Sequence, residues 1–313
     1  MEEKRIKAYK GFNKDMTCRG FQYEVGKEYE CDGEISLCEQ GFHACENPLD
    51  VLDFYNDIDG KYCEVEQSGR TETDGKKTVS SKIKINAEIG FAGLFKLGVE
   101  WLKEITNPKK VIEKITNKNN NEIVSDSGDS AKIGSSGDSA KIGSSGDSAK
   151  IGSSGDGAQI GSSGYGAQIG SSGYGAQIGS SGNGAQIGSS GDSAKIGSSG
   201  DSAKIGSSGD GAQIGSSGNG AQIGSSGDSA KIGSSGYGAR IDSAGEDSVI
   251  CCAGNNSMVK AKIDSWITLS KWEYNYEKQR YVPKCVKTEY VDGERIKADT
   301  WYKLENGEFI EIQ

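Results

Sequence analysis

From Ile133 to Ile241 an isoleucine returns every ninth residue, in the unit G-S-S-G-(D/N/Y)-(S/G)-A-(K/Q/R)-I. Val124 holds the apolar place before the array, and Ile250 and Val259 hold it afterwards in degenerate units. Within a unit Ala140 and Ile142 flank Lys141, the in-out-in alternation of a strand. The G-S-S-G run reads as a corner, with Gly134 and Gly137 expected at positive φ and Ser135 and Ser136 hydrogen-bonding local backbone. One such unit buries almost nothing, so successive units must stack. The pattern predicts a mainly β protein built on a nonapeptide-repeat β-solenoid, a β-roll with two repeats in each eighteen-residue coil. Ile133, Ile151, Ile169, Ile187, Ile205, Ile223 and Ile241 then share one face, and Ile142, Ile160, Ile178, Ile196, Ile214 and Ile232 the other. At about 4.8 Å per rung, some six to seven coils give a rod roughly 30 Å long, cored by isoleucine ladders and thinned by alanine.

Calcium-binding nonapeptides carry Asp two residues before the apolar position. Here that place is Ala140, and Tyr165, Tyr174, Tyr237, Asn183 and Asn219 replace the more distant Asp in several units. The array therefore reads as a spacer or scaffold and not as a metal site. Every Lys141-type unit carries Asp-Ser, as at Asp138 and Ser139, which is expected of a charge pair.

The flanks differ in pattern. Residues 1–86 read as a small α+β domain, with strands in RIKAYKGF, KYCEVEQ and VSSKIKI and a hairpin in FQYEVGKEYEC turning at Gly26 and Lys27. Asn47 and Pro48 are the N-cap and first residue of a helix whose Leu49, Leu52 and Phe54 face inward. Residues 87–123 contain an amphipathic helix expected to cap the open end of the solenoid, followed by a polar connector. The solenoid itself occupies 124–259. Residues 260–313 form a C-terminal β cap rich in Trp and Tyr, with hairpin turns at VDGE and ENGE.

The 313-residue chain has a formal net charge of −9 and a mean hydropathy of −0.59. No apolar run is long enough for a membrane span, and the start lacks the apolar core of a secretory signal. Eight cysteines in such a chain are expected as reduced thiols, which places the protein in a cytoplasm. Acidity is concentrated: thirteen Asp or Glu face two Lys between Glu24 and Glu66. That segment repels nucleic acid and attracts a basic partner. Its candidate contact residues are Glu28, Glu30, Asp32 and Glu34 along a hairpin edge, then Asp50, Asp53 and Asp57, with Tyr165, Tyr174 and Tyr237 exposed on the array.

His43 stands near Cys38 and Cys45, but the Cys-x-x-Cys spacing of structural zinc is absent and no third group orients a Cys45–His43 pair. No catalytic residue, metal or cofactor is assigned. The G-F-H-A strand and the following helix with Tyr55 are similar to ADP-ribosyltransferase cores. That likeness implies a nicotinamide-dinucleotide pocket near His43, Tyr9 and Tyr55, without a placed catalytic Glu or Arg motif. The ordering of YKGF and GFHACENPLDVL, Gly/Ser-rich repeats, and a VDGERIKADTWYKL tail resembles a family of phage and prophage proteins of gut bacteria. The resemblance implies a viral setting and brings no chemistry with it. The expectation is a non-enzymatic phage accessory protein in the cytoplasm of the infected bacterial host. It would bind a host protein, such as a nucleic-acid-binding defence complex, as an anti-defence inhibitor. A virion fibre component and an enzyme are the alternatives.

Overall fold

The computed structural model describes residues 5–55, 60–105, 116–117 and 120–312. The chain divides into two compact units, Met1–Gly98 and Val99–Gln313.

In the first unit, strands β1 (Ile6–Phe12), β2 (Thr17–Cys18), β3 (Phe21–Gln22), β4 (Glu28–Glu30), β5 (Phe42–Ala44), β6 (Lys61–Thr73) and β7 (Thr78–Ile89) precede helix α1 (Phe91–Ile105). The main sheet runs β1-β6-β7-β4, and β5 also pairs with β7. The expected hairpin at Gly26 does not form. Instead β3 pairs with β2, and β4 pairs with β7. Asn47 does cap a helical turn, its side chain accepting from the Leu49 N–H at 3.0 Å, but the turn is a 3-10 helix, Pro48–Asp53. Pro48 to Leu52 are all buried there, while Phe54, the residue after the turn, is exposed.

The second unit is the solenoid, with about eight turns between residues 123 and 269. Two parallel sheets alternate along the chain. Ile133 pairs with Ile151, which pairs with Ile169, on face one. Ile142 pairs with Ile160, which pairs with Ile178, on face two. The coil is therefore eighteen residues. The rod exceeds the expected six to seven coils because the degenerate flanks join it: Val124 pairs with Ile142, Ile241 with Val259, and Ile250 with Ile267. Isoleucine and alanine rows fill the interior.

Three details depart from the sequence pattern. The left-handed residue is the one before Ala, Ser139 at φ 56° or Gly157 at φ 64°, which is why Ser and Gly alternate there. The second glycine of G-S-S-G is needed for stacking: a Cβ on Gly146 would lie 2.0 Å from the carbonyl oxygen of Gly128, one coil back. The first serine points inward, and hydroxyls such as those of Ser180 and Ser198 are buried without a hydrogen-bond partner.

The Asp of each Lys unit is engaged along the stack. Asp138 Oδ1 accepts from the Asp156 N–H at 3.1 Å, and Asp201 Oδ1 from the Asn219 N–H at 2.7 Å. An acceptor on a short side chain makes that bond, so Asn183 and Asn219 serve equally, whereas Tyr ends the ladder.

The helix expected as an end cap contributes differently. Within the second unit its Val99 and Leu102 lie against Gly188, about 3.2 Å from where a Cβ would be. Gly188 sits on the middle rungs of face one. A row of outward glycines leaves a trough there, and an apolar helix stripe fits a trough better than it fits the frayed end of a coil. The polar connector lies mostly outside the described residues, although Thr116–Asn117 adds a parallel rung beside Lys132–Ser135.

At the C-terminal end Trp266–Asn275 continues face two in parallel, then folds back on Arg280–Tyr290 in antiparallel pairing. Asn306 and Gly307, both at positive φ, turn the second hairpin, Tyr302–Glu305 with Glu308–Glu311. VDGE is a loop and not a hairpin: Asp292 Oδ1 accepts from the N–H groups of Glu294, Arg295 and Ile296. Those three donors hold its carboxyl below the usual range.

Candidate ligand pocket

β5 is placed between two strands. Phe42–Ala44 pairs with β7, while Cys45 exchanges backbone hydrogen bonds with Tyr9 of β1 at 2.7 and 2.9 Å. The junction brings YKGF and GFHAC side by side and opens a cavity of about 640 Å³. Lys10, Arg19, Tyr23, His43, Tyr55 and Lys77 are among its walls. Gly11 is required for this shape, because a Cβ there would meet the Tyr55 Cβ at 2.4 Å.

Lys10 is buried in a strand that is otherwise apolar over its last five residues. Its ammonium donates to the His43 carbonyl at 3.0 Å and lies 5.5 Å from the Phe12 ring centroid and 5.8 Å from those of Tyr23 and Tyr55. Burial holds its pKa below the ordinary lysine range, with Cys18 pulling weakly the other way. The rings, the His43 carbonyl and the Cys18 sulfur surround the buried ammonium, a setting in which an anion would be held strongly.

Two more cations stand near it. The Arg19 guanidinium donates to the Cys38 carbonyl at 2.8 Å, and Lys77 lies 3.0 Å from the Cys38 sulfur and 4.6 Å from the Phe54 ring centroid. His43 Nε2 accepts from the Cys38 N–H at 2.9 Å. Its pKa is lowered, first by burial and then by Lys10, Lys77 and Arg19, so the imidazole is neutral at pH 7. Burial pushes the Cys45 thiol up to about 12. Cys45 therefore stays a thiol. All eight cysteines are free thiols.

The acidic residues selected from sequence differ in their surroundings. Glu28 and Glu30 are exposed on β4 but stand opposite Lys84 and Lys82, with Glu30 3.4 Å from Lys82. Asp32 and Glu34 are exposed beyond that strand. Asp50 is buried, and Asp53 is paired with Lys76 at 2.7 Å. Asp57 lies outside the described residues. The concentration of charge was real along the chain; β7 supplies lysines that a linear count cannot place beside it.

The tyrosines are exposed, and they too are divided. Tyr165 and Tyr237 follow face-two strands and Tyr174 follows a face-one strand, so they lie on opposite edges of the solenoid. Lys10, Arg19 and Lys77 escaped the sequence reading. The available signal was a lysine inside the apolar strand of YKGF, followed by glycine.

Residues 6–97 match the family model described as a domain of unknown function (DUF7666), a stretch that contains the whole pocket. No curated protein and no solved structure matches the chain.

Proposed function

We propose that the protein is a ligand-binding protein whose N-terminal unit takes a small anionic molecule carrying a planar ring, of the nucleotide class, and whose solenoid is a scaffold. The observation that carries the reading is Lys10: a buried ammonium caged by three aromatic rings, on the wall of a cavity that Arg19 and Lys77 also line. Aromatic walls suit a base and the cations suit phosphate. The likeness of the G-F-H-A segment to ADP-ribosyltransferase cores makes nicotinamide dinucleotide and ADP-ribose the first ligands to try. No transfer step is assigned: of the two carboxylates that line the cavity, Glu30 is turned to Lys82 at 3.4 Å and Glu39 accepts from the Ser36 hydroxyl at 3.4 Å.

The test is calorimetric titration of the full chain with ADP-ribose, nicotinamide dinucleotide, AMP and inorganic phosphate. A ring-bearing ligand binds saturably, and Lys10→Met weakens it at least ~10-fold, with exposed Arg19→Gln as a second variant that leaves the core untouched. Affinity rises as pH falls from 7.5 to 5.5, because an anion favours protonated His43. Stability of the free protein moves the opposite way. His43 is neutral when folded and ordinary, near 6.5, when unfolded, so the unfolded chain gains the proton first and stability declines as pH drops below that value. Absence of saturable binding, or unchanged affinity in both variants, contradicts the reading.

The resemblance of the sequence to phage and prophage proteins is the ground for a second proposal, a host-protein binder acting against defence. The exposed carboxylates of Glu28, Glu30, Asp32 and Glu34 favour it, and the lysines opposite the first two weaken it. Reversal of Glu28, Asp32 and Glu34 to Lys, none of which lines the cavity, separates the two readings, for it abolishes partner capture under the second and leaves nucleotide binding unchanged under the first.

A further inference from the structure

The two faces of the solenoid present matching outward columns, a Lys/Gln column beside a glycine column, and they meet different fates. On face one the glycines from Gly134 to Gly224 are buried, as are Gln186 and Lys204, and Val99 and Leu102 fill the trough at Gly188. On face two a Cβ built on Gly143, Gly161, Gly179, Gly197, Gly215 or Gly233 would meet nothing within 4 Å. The result is an open groove of about 1160 Å³. Its two ends carry exposed apolar side chains, Ile123 at one and Val249 at the other, 76% and 52% exposed, where water is a poor neighbour.

We propose that this open groove is a docking site for an amphipathic helix of a partner protein, its apolar stripe lying on the glycine row and its carboxylates reaching Lys141, Lys195 and Lys231. The occupant's chemistry is read from the molecule itself, since an apolar helix stripe already packs on Gly188 of the equivalent row on face one. Charge decides between a partner and a second copy. The long outward side chains of face two between Lys141 and Lys231 are Lys or Gln, so two copies placed face to face would oppose lysine with lysine, whereas acidic flanks on a foreign helix complement them. From Ile123 to Val249 is seven rungs, about 34 Å, which matches a helix of about 22 residues at 1.5 Å each. Lys141, Lys195 and Lys231 are three and then two rungs apart, roughly 14 and 10 Å. Carboxylates about eleven and seven residues apart, which lie on one flank of the helix, come nearest to those spacings.

The probe is a fluorescein-labelled peptide of the chain's own helix sequence, FAGLFKLGVEWLKEI, titrated into the full protein and followed by anisotropy. A second peptide carries Lys96→Glu and Lys103→Glu. Both bind saturably, the acidic one at least ~3-fold more tightly at low salt. The triple variant Gly179→Val, Gly197→Val, Gly215→Val melts like wild type and loses at least ~10-fold in peptide affinity. No saturable binding, equal binding by the triple variant, or a wild-type dimer in sedimentation that the triple variant abolishes would overturn the proposal, the last in favour of a second copy.

Discussion

Face one and face two are near copies in sequence and unequal in environment. Their isoleucines record the difference: Ile151, Ile169, Ile187 and Ile205 are 0% exposed, while Ile142, Ile160, Ile178 and Ile196 are 3–4% exposed. The extra exposure arises because a glycine row screens the aliphatic core with backbone alone, unless something lies upon it. A glycine in a strand interior carries an entropic cost and packs nothing. On face one that cost is offset by the close approach of Val99 and Leu102. On face two, among the described residues, nothing offsets it. A repeat fixes the local fold of every unit alike, and what distinguishes one unit from another is the neighbour it receives.

The comparison breaks most severely if the two faces are exchanged. Removing Gly143 to Ile160 deletes one whole coil and keeps every later strand on its own face, so the variant unfolds cooperatively near the wild-type temperature. Removing the nine residues from Gly143 to Ile151 moves the Trp266 hairpin and the Tyr302 strand onto the wrong faces. Thermal melting of that variant is lowered by at least ~10 °C; equal melting of the two deletions would mean that the coil is not two units.

A smaller effect sharpens what the faces share. The Asp ladder runs along both edges, so Asp201→Ala removes the acceptor of the Asn219 N–H and costs about 1 kcal/mol in chemical denaturation. Asp201→Asn is neutral, because Asn183 makes the same bond. A lysine-dependent effect, matched by Lys204→Gln, would restore the charge-pair explanation in place of the backbone one.

Much of the solenoid was legible because its signal repeats. The nine-residue period, the inward Ile and Ala, and the pairing of Ile133 with Ile151 follow from strand alternation and the thinness of a single unit. The roles of the glycines were not legible. One is fixed by stacking on the carbonyl of Gly128 and another by Val99, and neither contact has a local signature. In the N-terminal unit Asn47 and Pro48 announced their turn, whereas the pocket depends on Cys45 crossing to Tyr9, a long-range pairing. Lys10 reads as an ordinary strand lysine until that pairing encloses it. Nor does the sequence show that Glu28 and Glu30 stand opposite Lys84 and Lys82, which lie on β7 far along the chain.

The account's central claim is that identical glycines are constrained on face one and free on face two. Equilibrium denaturation of Gly188→Val and Gly197→Val, measured side by side, tests it most directly. Gly188→Val forces a side chain against Val99 and Leu102 and is destabilised by about 1–3 kcal/mol. Gly197→Val enters open space with a residue that favours strands and changes stability by no more than ~0.5 kcal/mol in the unfavourable direction. Equal losses at the two positions would contradict the claim.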